Sequence, residues 1–371
     1  MEQGPRILFA GGGTGGHVYP ALAIAEAVRR LAPEAAIAFA GTRERLEWEV
    51  VPKAGYPIHP ITVVGLQRRL TPANLLFPVK LVQGLVQSRR LVRDFDPDVV
   101  VGTGGFVAGP VLLAASQLGR PIILQEQNAF AGMTNRLLAR RAAEIHIAFP
   151  EARQAFPPEK CVLSGNPTRA ELATADPDEA RRFFDVPEGA AVVLAFGGSL
   201  GSLALNTALE RHLDALLADE HVVVLWQTGD RYFDRLQARV PAHPRLRLMR
   251  YIDRMDLAYA AADVALCRAG AITCSELMVT GTPAVLVPSP NVAEDHQTAN
   301  ARSMEAAGAA VLLPEADLEA RLVETVRALL RDPARRAAMA EAARALARPD
   351  AATRIAFAVL ARAGYKLEPI A

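Results

Sequence analysis

The chain has 371 residues, of which 51% are hydrophobic and 22% charged. This composition is typical of a globular protein, and the length is enough for two or more domains. The 41 basic and 40 acidic side chains leave a net charge of +1, which argues against a protein that binds nucleic acid mainly through charge. Residues 1–165 nevertheless hold 18 basic and 13 acidic side chains, so the first half could face an anionic partner, or could reflect scatter in composition.

The cysteines and the apolar runs indicate the compartment. Cys161, Cys267 and Cys274 are odd in number and lack C-x-x-C spacing, which predicts neither a disulfide framework nor a zinc site and fits a reducing cytoplasm. The first apolar run is too short for a signal peptide. Residues 99–119 carry no charge, but glycines and a proline interrupt them, so we expect a buried strand, a loop and a helix there instead of a membrane span.

The first element in the chain is ILFAGGGTGGHVYPA, residues 7–21, which predicts a strand, a glycine loop and a helix. Glycines allow a ligand to approach the backbone, and the N-terminus of the helix offers unpaired N–H groups to an anion. Gly11, Gly13 and Gly16 also fit the dinucleotide pattern G-x-G-x-x-G, so an NAD(P)-dependent oxidoreductase is an alternative. The next strand is followed by Arg43 where an NAD enzyme places a carboxylate, which leaves only NADP.

Short apolar strands alternate with helices along the rest of the chain, which predicts an α/β fold of parallel sheets covered on both faces. A helix at residues 43–53, a helix from Thr71 that is kinked at Pro78, and an Ala/Leu/Arg-rich helix from Glu315 to about Arg362 are expected. The expected strands are 7–10, 36–40, 58–63, 98–101, 122–124, 144–148, 191–196, 222–226, 246–249, 264–266, 284–287 and 310–313.

Residues 164–167, with the sequence SGNP, read as a hinge. They predict a domain of residues 1–164 and a domain of residues 165–349, with a helix at 350–365 that packs on the first domain. Each half has two glycine turns at corresponding places, and parallel sheets bind ligands beyond the carboxyl ends of their strands. We therefore expect two Rossmann-like domains that face a cleft, lined by the turns at 11–16, 102–105, 197–201 and 268–270. No G-x-x-x-x-G-K-[ST] motif occurs, which disfavours a P-loop NTPase.

Three polar positions stand out. His17 directly follows the last glycine of the first loop, where it could accept a proton in the cleft or only cap the helix. Glu276 lies in an apolar helix after a glycine turn, where its carboxylate could accept hydrogen bonds from ribose hydroxyls or pair with Arg268. The segment EDHQTANA, residues 294–301, is rich in groups that bind sugar hydroxyls, although Asp295 alone would explain it as a capped helix.

Seven segments together closely resemble the MurG family of bacterial peptidoglycan N-acetylglucosaminyltransferases: GGGTGGHVYPA, GTGGFVAGP, QEQNAFAGMTN, SGNPTR, GGSLGS, the stretch from Cys267 to Glu276, and EDHQTANA. The resemblance extends from residue 5 to about residue 362. It implies a GT-B fold, UDP-GlcNAc as donor, and lipid I (undecaprenyl-pyrophosphoryl-MurNAc-pentapeptide) as acceptor. Lipid II would form with inversion at the sugar. Within the same fold, an NDP-sugar epimerase and another lipid glycosyltransferase are the alternatives.

The resemblance also implies residue roles. Gly13, Gly104 and Gly105 belong to the loops that meet the acceptor pyrophosphate. From its position after the first glycine loop, we expect His17 to be the base, with Glu126 as the alternative. Gln125 and Leu200 depart from the family pattern, which often has His and Gln there, so a base role at 125 is lost. The expected donor-binding residues are Thr14, Gly15, Gly16, Asn128, Arg169, Ser199, Ile252, Ala271, Ile272, Thr273, Cys274, Ser275, Glu276 and Gln297.

A lipid acceptor requires contact with a membrane. The expected membrane patch is an apolar cluster edged by cations, which is typical of a segment lying on an anionic surface or, alternatively, of a kinked helix packed on its own sheet. We expect a peripheral protein on the cytoplasmic face of the plasma membrane, with cell-wall synthesis and division proteins as further partners. No tightly bound cofactor is expected, and a divalent cation is left open. The patch residues are Arg68, Arg69, Leu75, Leu76, Phe77, Val79 and Lys80.

Overall fold

The computed structural model describes residues 4–63 and 77–366. The chain divides into two compact units, Met1–Thr168 with Asp350–Ala371, and Arg169–Pro349. The division thus falls at the end of the expected hinge, a few residues beyond the expected boundary after Ser164. The reason is that the amides of Ser164 and Gly165 donate to the carbonyl of Ile147, at 3.1 and 3.2 Å, which ties the SGNP segment to the first unit.

The first unit is built on one sheet of seven parallel strands. Their order is β3-β2-β1-β4-β5-β6-β7 once they are numbered along the chain. The strands are β1 (Arg6–Gly11), β2 (Ala36–Gly41), β3 (Ile58–Pro60), β4 (Val99–Gly104), β5 (Ile122–Glu126), β6 (Glu144–Ile147) and β7 (Cys161–Leu163). The helices are α1 (Gly15–Leu31), α2 (Glu47–Lys53), α3 (Phe77–Phe95), α4 (Ala108–Gln117), α5 (Met133–Leu138) and α14 (Ala351–Arg362).

Both faces of this sheet are buried, because successive residues of a strand point to opposite sides. In β1, Leu8 and Ala10 belong to one apolar cluster, whereas Ile7 and Phe9 belong to the other. The second cluster also contains Ile355, Val359 and Leu360 of α14, so the last helix of the chain completes the core of the first unit.

The second unit has a sheet of six parallel strands in the order β10-β9-β8-β11-β12-β13. Its strands are β8 (Ala191–Phe196), β9 (Val222–Gln227), β10 (Leu246–Met249), β11 (Val264–Cys267), β12 (Ala284–Leu286) and β13 (Ala310–Leu312). Its helices are α6 (Pro177–Phe183), α7 (Leu203–Leu217), α8 (Asp230–Arg239), α9 (Met255–Ala261), α10 (Ala271–Thr280), α11 (His296–Ala306), α12 (Leu318–Leu330) and α13 (Pro333–Leu346).

The strand order brings the glycine turns together in pairs. In the first unit the order reverses between the adjacent strands β1 and β4, and in the second unit between β8 and β11. Ligands of such sheets bind beyond the carboxyl ends of the strands at this reversal. The turns after β1 and β4 therefore form one ligand-binding edge, and those after β8 and β11 form another.

Several expected elements differ from the structure. The long helix expected from Glu315 is three helices, because Asp332 caps α13 by accepting from the amide of Arg335 at 2.9 Å and Pro333 occupies the first position of that helix. Gly102, expected in a turn, lies within β4. Helix α2 begins at Glu47 and not at Arg43, and β7 was not expected. The expected start at Thr71 lies outside the described residues, and the described part of α3 runs from Phe77 to Phe95.

Candidate active site

The loop between β1 and α1 rests on a buried carboxylate. Glu47 is 1% exposed, and its Oε2 accepts a hydrogen bond from the amide of Gly13 at 2.9 Å. Its Oε1 accepts from the amide and the hydroxyl of Thr42, at 3.1 and 2.6 Å. By accepting these three hydrogen bonds, the carboxylate of Glu47 holds the loop in a fixed position. No motif marks Glu47 in the sequence, and its role was not predicted.

His17 lies in the first turn of α1, half-buried, with its ring against the end of β4. Its Nδ1 is 2.9 Å from the carbonyl oxygen of Thr103 and 3.0 Å from Oε1 of Gln127. A Cβ on Gly104, whose φ is +103°, would lie 2.9 Å from two atoms of the imidazole. Glycine at 104 is therefore needed both for the backbone conformation and for the room that the ring occupies.

The neighbours of His17 determine its tautomer. The amide nitrogen of Gln127 donates to the carbonyls of Thr103 and Gln125, at 2.7 and 3.1 Å, so the amide oxygen must be the atom that faces His17. Both groups facing Nδ1 are then acceptors, and the proton of a neutral imidazole lies on Nδ1. The lone pair, and hence the basic atom, is Nε2.

Glu126, the alternative base, is 2% exposed and occupied by donors on both oxygens. Oε1 accepts from the amide and the side chain of Asn128, at 3.1 and 3.4 Å, and Oε2 accepts from the amide of Gly132 at 3.0 Å and from the side chain of Asn135 at 2.9 Å. This carboxylate holds the loop from 127 to 132 in place. It therefore fits a loop-positioning role.

Gln125 and Asn166 link this loop to the SGNP segment. The Gln125 amide donates to Oδ1 of Asn166 at 2.8 Å, and the Asn166 amide donates to the carbonyl of Gln127 at 2.9 Å. Gln125 is fully buried, so its side chain has a structural role here. Gln127, Asn135 and Asn166 were not predicted as parts of this network.

In the second unit, the turn after β8 presents Ser199 and Leu200 to solvent. Helix α7 begins at Leu203, after the expected glycine turn, because the hydroxyl of Ser202 accepts from the amide of Leu205 at 3.4 Å and caps the helix. A Cβ on Gly201, whose φ is +74°, would lie 2.1 Å from the carbonyl oxygen of Thr228. The loop after β9 therefore packs directly on this turn.

Gln227, at the end of β9, joins the turn after β8 to the segment that follows β10. It is 3% exposed, its amide nitrogen donates to the carbonyl of Gly198 at 3.1 Å, and its amide oxygen accepts from the backbone N–H of Ile252 at 2.9 Å. Ile252 itself is buried. One side chain thus sets the spacing between two of the expected donor-binding segments.

Glu276 lies in α10, 9% exposed, between a tyrosine and an arginine. Its Oε2 accepts from the hydroxyl of Tyr259 at 3.0 Å, and its Oε1 is 3.4 Å from Nη2 of Arg169. Burial raises the pKa of the Glu276 carboxyl, and Arg169 and Tyr259 partly oppose that rise. The alternative pairing with Arg268 is wrong, because Arg268 pairs with Glu315.

Two other donor segments flank this glutamate. Residues 271–276 form the first part of α10, which begins after Gly270. Helix α11 begins at His296 after Glu294 and Asp295, whose φ values of +55° and +50° are unusual for residues other than glycine. The carboxylate of Asp295 accepts from the hydroxyl of Thr298 at 2.7 Å and makes no side-chain cap to the helix backbone, so a simple capped helix does not explain the segment.

Gln297, the residue expected to bind the sugar, is in the first turn of α11. Its amide oxygen accepts from the backbone N–H of Ser289 at 2.9 Å. That contact orients the amide nitrogen as the donor of this side chain. Within residues 4–63 and 77–366, no group of three or more His, Cys, Asp or Glu side chains is arranged to hold a metal ion.

Comparisons with known proteins agree along nearly the whole chain. Residues 7–147 match the glycosyltransferase family 28 N-terminal domain, and residues 192–355 match the C-terminal domain of that family. A Salinibacter ruber protein is 63% identical over 97% of this chain and 98% of its own length. It is named UDP-N-acetylglucosamine--N-acetylmuramyl-(pentapeptide) pyrophosphoryl-undecaprenol N-acetylglucosamine transferase. The chain belongs to this MurG family of transferases.

Solved structures show the same fold. The crystal structure of Acinetobacter baumannii MurG matches with a TM-score of 0.79 at 30% identity, and the match covers 96% of this chain and 99% of that one. A UDP-GlcNAc 2-epimerase from Neisseria meningitidis, solved with UDP-GlcNAc, matches with a TM-score of 0.65 at 15% identity, which shows the fold alone. The predicted GT-B fold and the MurG family resemblance are confirmed, and the oxidoreductase alternative is wrong.

The expected membrane patch is described only in part. Arg68, Arg69, Leu75 and Leu76 lie outside the described residues, whereas Phe77 begins α3. Further along that helix, Val79, Val82 and Val86 are 63%, 60% and 63% exposed, and their spacing places them on one helical face. No helix in the described part of the chain is both long and apolar enough to cross a bilayer.

Proposed function

We propose that this enzyme transfers GlcNAc from UDP-GlcNAc to the C4 hydroxyl of MurNAc in lipid I and so forms lipid II. The observation that carries the proposal is the 63% identity, over 97% of the chain, to a transferase whose name states this donor and acceptor. Identity at this level favours the same substrates over those of an epimerase or of another lipid glycosyltransferase.

The donor nucleotide is assigned to the second unit. Glu276, a buried carboxylate, accepts hydrogen bonds from the ribose hydroxyls, and Arg169 beside it meets the diphosphate together with Ser199. Because the N–H of Ile252 donates to Gln227, the carbonyl of Ile252 is the group that we assign to the uracil N3–H. Gln297 donates to a GlcNAc oxygen, and residues 271–275 line the same site at the start of α10.

The acceptor pyrophosphate is assigned to the turns of the first unit. The amide of Gly13 donates to Glu47, so the N–H groups that follow it, in Thr14, Gly15 and Gly16 at the start of α1, are the donors that we assign to the anion. Gly104 and Gly105, at the end of β4, have no side chains that would block the approach of the pyrophosphate. Thr14, Gly15, Gly16 and Asn128 also contact the sugar of the donor.

His17 acts as the general base. The C4 hydroxyl of MurNAc attacks the anomeric carbon from the face opposite UDP, through an oxocarbenium-like transition state that inverts the configuration. Nε2 of His17 accepts the hydroxyl proton, while Thr103 and Gln127 hold the other ring nitrogen. The satisfied and buried carboxylate of Glu126 supports a role in shaping the loop. Arg169 and the turn after β8 stabilise the negative charge of the departing UDP.

A ligand-binding experiment tests the assigned donor. At a concentration 100 times its Kd, a ligand stabilises the native state by about 2.7 kcal/mol, which shifts the melting temperature by several degrees. We expect UDP-GlcNAc and UDP to produce this shift, and NADP at the same concentration to produce none. A shift with NADP alone would count against the proposal.

For the membrane, we propose that the exposed face of α3 continues the expected patch and contacts the anionic cytoplasmic surface of the plasma membrane. Val79, Val82 and Val86 supply apolar contacts, and Lys80 follows Val79 directly in the sequence. On this proposal the enzyme is a peripheral protein of that membrane surface, with cell-wall synthesis and division proteins as its further partners.

Vesicle co-sedimentation tests the membrane contact. Changing Val79, Val82 and Val86 together to glutamate removes apolar area and adds like charge, so we expect at least a roughly ten-fold lower partition coefficient on vesicles that contain anionic phospholipid. Phe183→Glu, at an equally exposed position of α6 in the other unit, should bind as the wild type does. Equal retention of the triple variant and the wild type on these vesicles would contradict the proposed membrane contact of α3.

A further inference from the structure

Tyr259 stands directly behind Glu276 and has no role in the site as described so far. It lies in α9, is 2% exposed, and its hydroxyl is 3.0 Å from Oε2 of Glu276. Burial, together with the negative charge of Glu276, raises the pKa of the Tyr259 phenol well above its ordinary value. The phenol therefore keeps its proton and is the donor of this hydrogen bond.

A ring contact with the second unit's sheet holds the Tyr259 side chain, and hence its hydroxyl, in position. The ring of Tyr259 packs edge-on against Phe196, with ring centroids 5.9 Å apart and an interplanar angle of 82°. Phe196 is the last residue of β8, directly before the glycine turn assigned to the diphosphate. The hydroxyl is thereby anchored to the same strand end that carries the phosphate turn.

The two oxygens of Glu276 are in different surroundings. Oε2 faces the buried tyrosine, whereas Oε1 faces Arg169, whose side chain is 54% exposed. The Arg169 contact is long at 3.4 Å, so Tyr259 makes the shorter of the two contacts. Because the buried Tyr259 hydroxyl holds Oε2, Oε1 is the oxygen that faces the accessible side of Glu276.

We propose that Tyr259 is a positioning residue for the nucleotide, which orients the Glu276 carboxylate toward the vicinal hydroxyls of the ribose and so makes the site selective for a ribonucleotide over a 2′-deoxyribonucleotide. This inference rests on the proposed function, because it takes Glu276 as the ribose ligand. It adds Tyr259, which acts on the nucleotide only through Glu276.

The test is calorimetric titration of UDP and of 2′-deoxy-UDP into the full-length chain and its Tyr259→Phe variant. One hydrogen bond to a charged group is worth about a factor of ten in affinity, so we expect the variant to bind UDP about ten-fold more weakly. Its affinity for 2′-deoxy-UDP should fall clearly less than its affinity for UDP, since only the 3′ hydroxyl of that nucleotide can still donate to Glu276. Tyr365→Phe removes another tyrosine–glutamate hydrogen bond, to Glu34 in the first unit, and should change neither affinity.

The pH profile is a second readout. The groups that face Glu276 are Arg169, Tyr259 and the Cys267 thiol, which burial keeps protonated by raising its pKa well above the ordinary value. The Tyr259 hydrogen bond lowers the pKa of Glu276, so its removal raises that pKa further. UDP binding requires the ionised carboxylate, and on acidification the variant should therefore lose affinity at a higher pH than the wild type does.

A double-mutant cycle separates positioning from a general effect on the fold. In a Glu276→Gln background, Tyr259→Phe should cause less than a two-fold further loss of UDP affinity. Equal losses for UDP and 2′-deoxy-UDP, or no loss for either, would overturn the proposal. Wild-type chain that binds both nucleotides equally would overturn this inference and leave the transferase function standing. Wild-type chain that binds no UDP at all would overturn both.

Discussion

Replacing His17 with alanine is expected to lower kcat by about 10²- to 10⁴-fold, the usual contribution of a general base. The reason is geometric. Thr103 and Gln127 both accept at Nδ1, so the imidazole keeps its proton there and presents Nε2 as the base. The affinity for UDP should stay within about two-fold of wild type, because the nucleotide is assigned to the other unit. Steady-state kinetics and calorimetry on the same preparation measure the two quantities.

The controls for His17 use a second histidine and the alternative base. His221→Ala changes an exposed histidine of the second unit, and turnover should remain at the wild-type level. Glu126→Gln should lower the melting temperature, because the carboxylate accepts from two amides of its own loop, at Asn128 and Gly132. If His17→Ala turned over normally while folded Glu126→Gln did not, the two roles would be reversed.

Glu276→Gln is expected to raise the KM for UDP-GlcNAc by about 10- to 100-fold and to leave kcat within about three-fold. An amide keeps the volume of the side chain but replaces a charged acceptor, and hydrogen bonds to charged groups contribute about 1.5–3 kcal/mol each. The loss falls on KM because the ribose is remote from the reacting carbon, and its contacts are the same in the ground state and the transition state.

A surface glutamate provides the matched control for this change. Glu319 pairs with Arg211 at 3.0 Å, with both side chains about 60% exposed, and such pairs contribute little to stability. Glu319→Gln should therefore leave both KM and kcat unchanged. A large fall in kcat with an unchanged KM in Glu276→Gln would instead place this carboxylate near the chemical step.

The local parts of the fold were predictable from the sequence. The apolar runs and glycine turns predicted the parallel sheets, since each run ends where the backbone must turn sharply. Strand order then explains why the four turns form two pairs, one at each reversal. The sequence also holds a signal for the break at Asp332–Pro333, because aspartate followed by proline is typical of a helix start. The break was not predicted, because the Ala/Leu/Arg-rich composition from Glu315 onward indicated one continuous helix.

The network around the candidate site was not predictable. His17 and Gln127 are 110 residues apart, and Gln125 and Asn166 are 41 apart, so no local pattern relates them. Tyr259 appears in the sequence as one aromatic residue of an apolar helix, a pattern that indicates burial and not a contact with Glu276. Such pairs arise from the order of the strands, which short-range periodicity does not encode.

Transfer of the sugar is the measurement that tests the central claim. The full-length chain, given UDP-GlcNAc labelled in the sugar and a lipid I analogue, should place the label on the acceptor and release one UDP for each disaccharide formed. The new bond should have the configuration opposite to that of the donor, and an analogue without the C4 hydroxyl of MurNAc should remain unlabelled. Conversion of UDP-GlcNAc to an epimer, or UDP release at the same rate with and without the acceptor, would contradict the account.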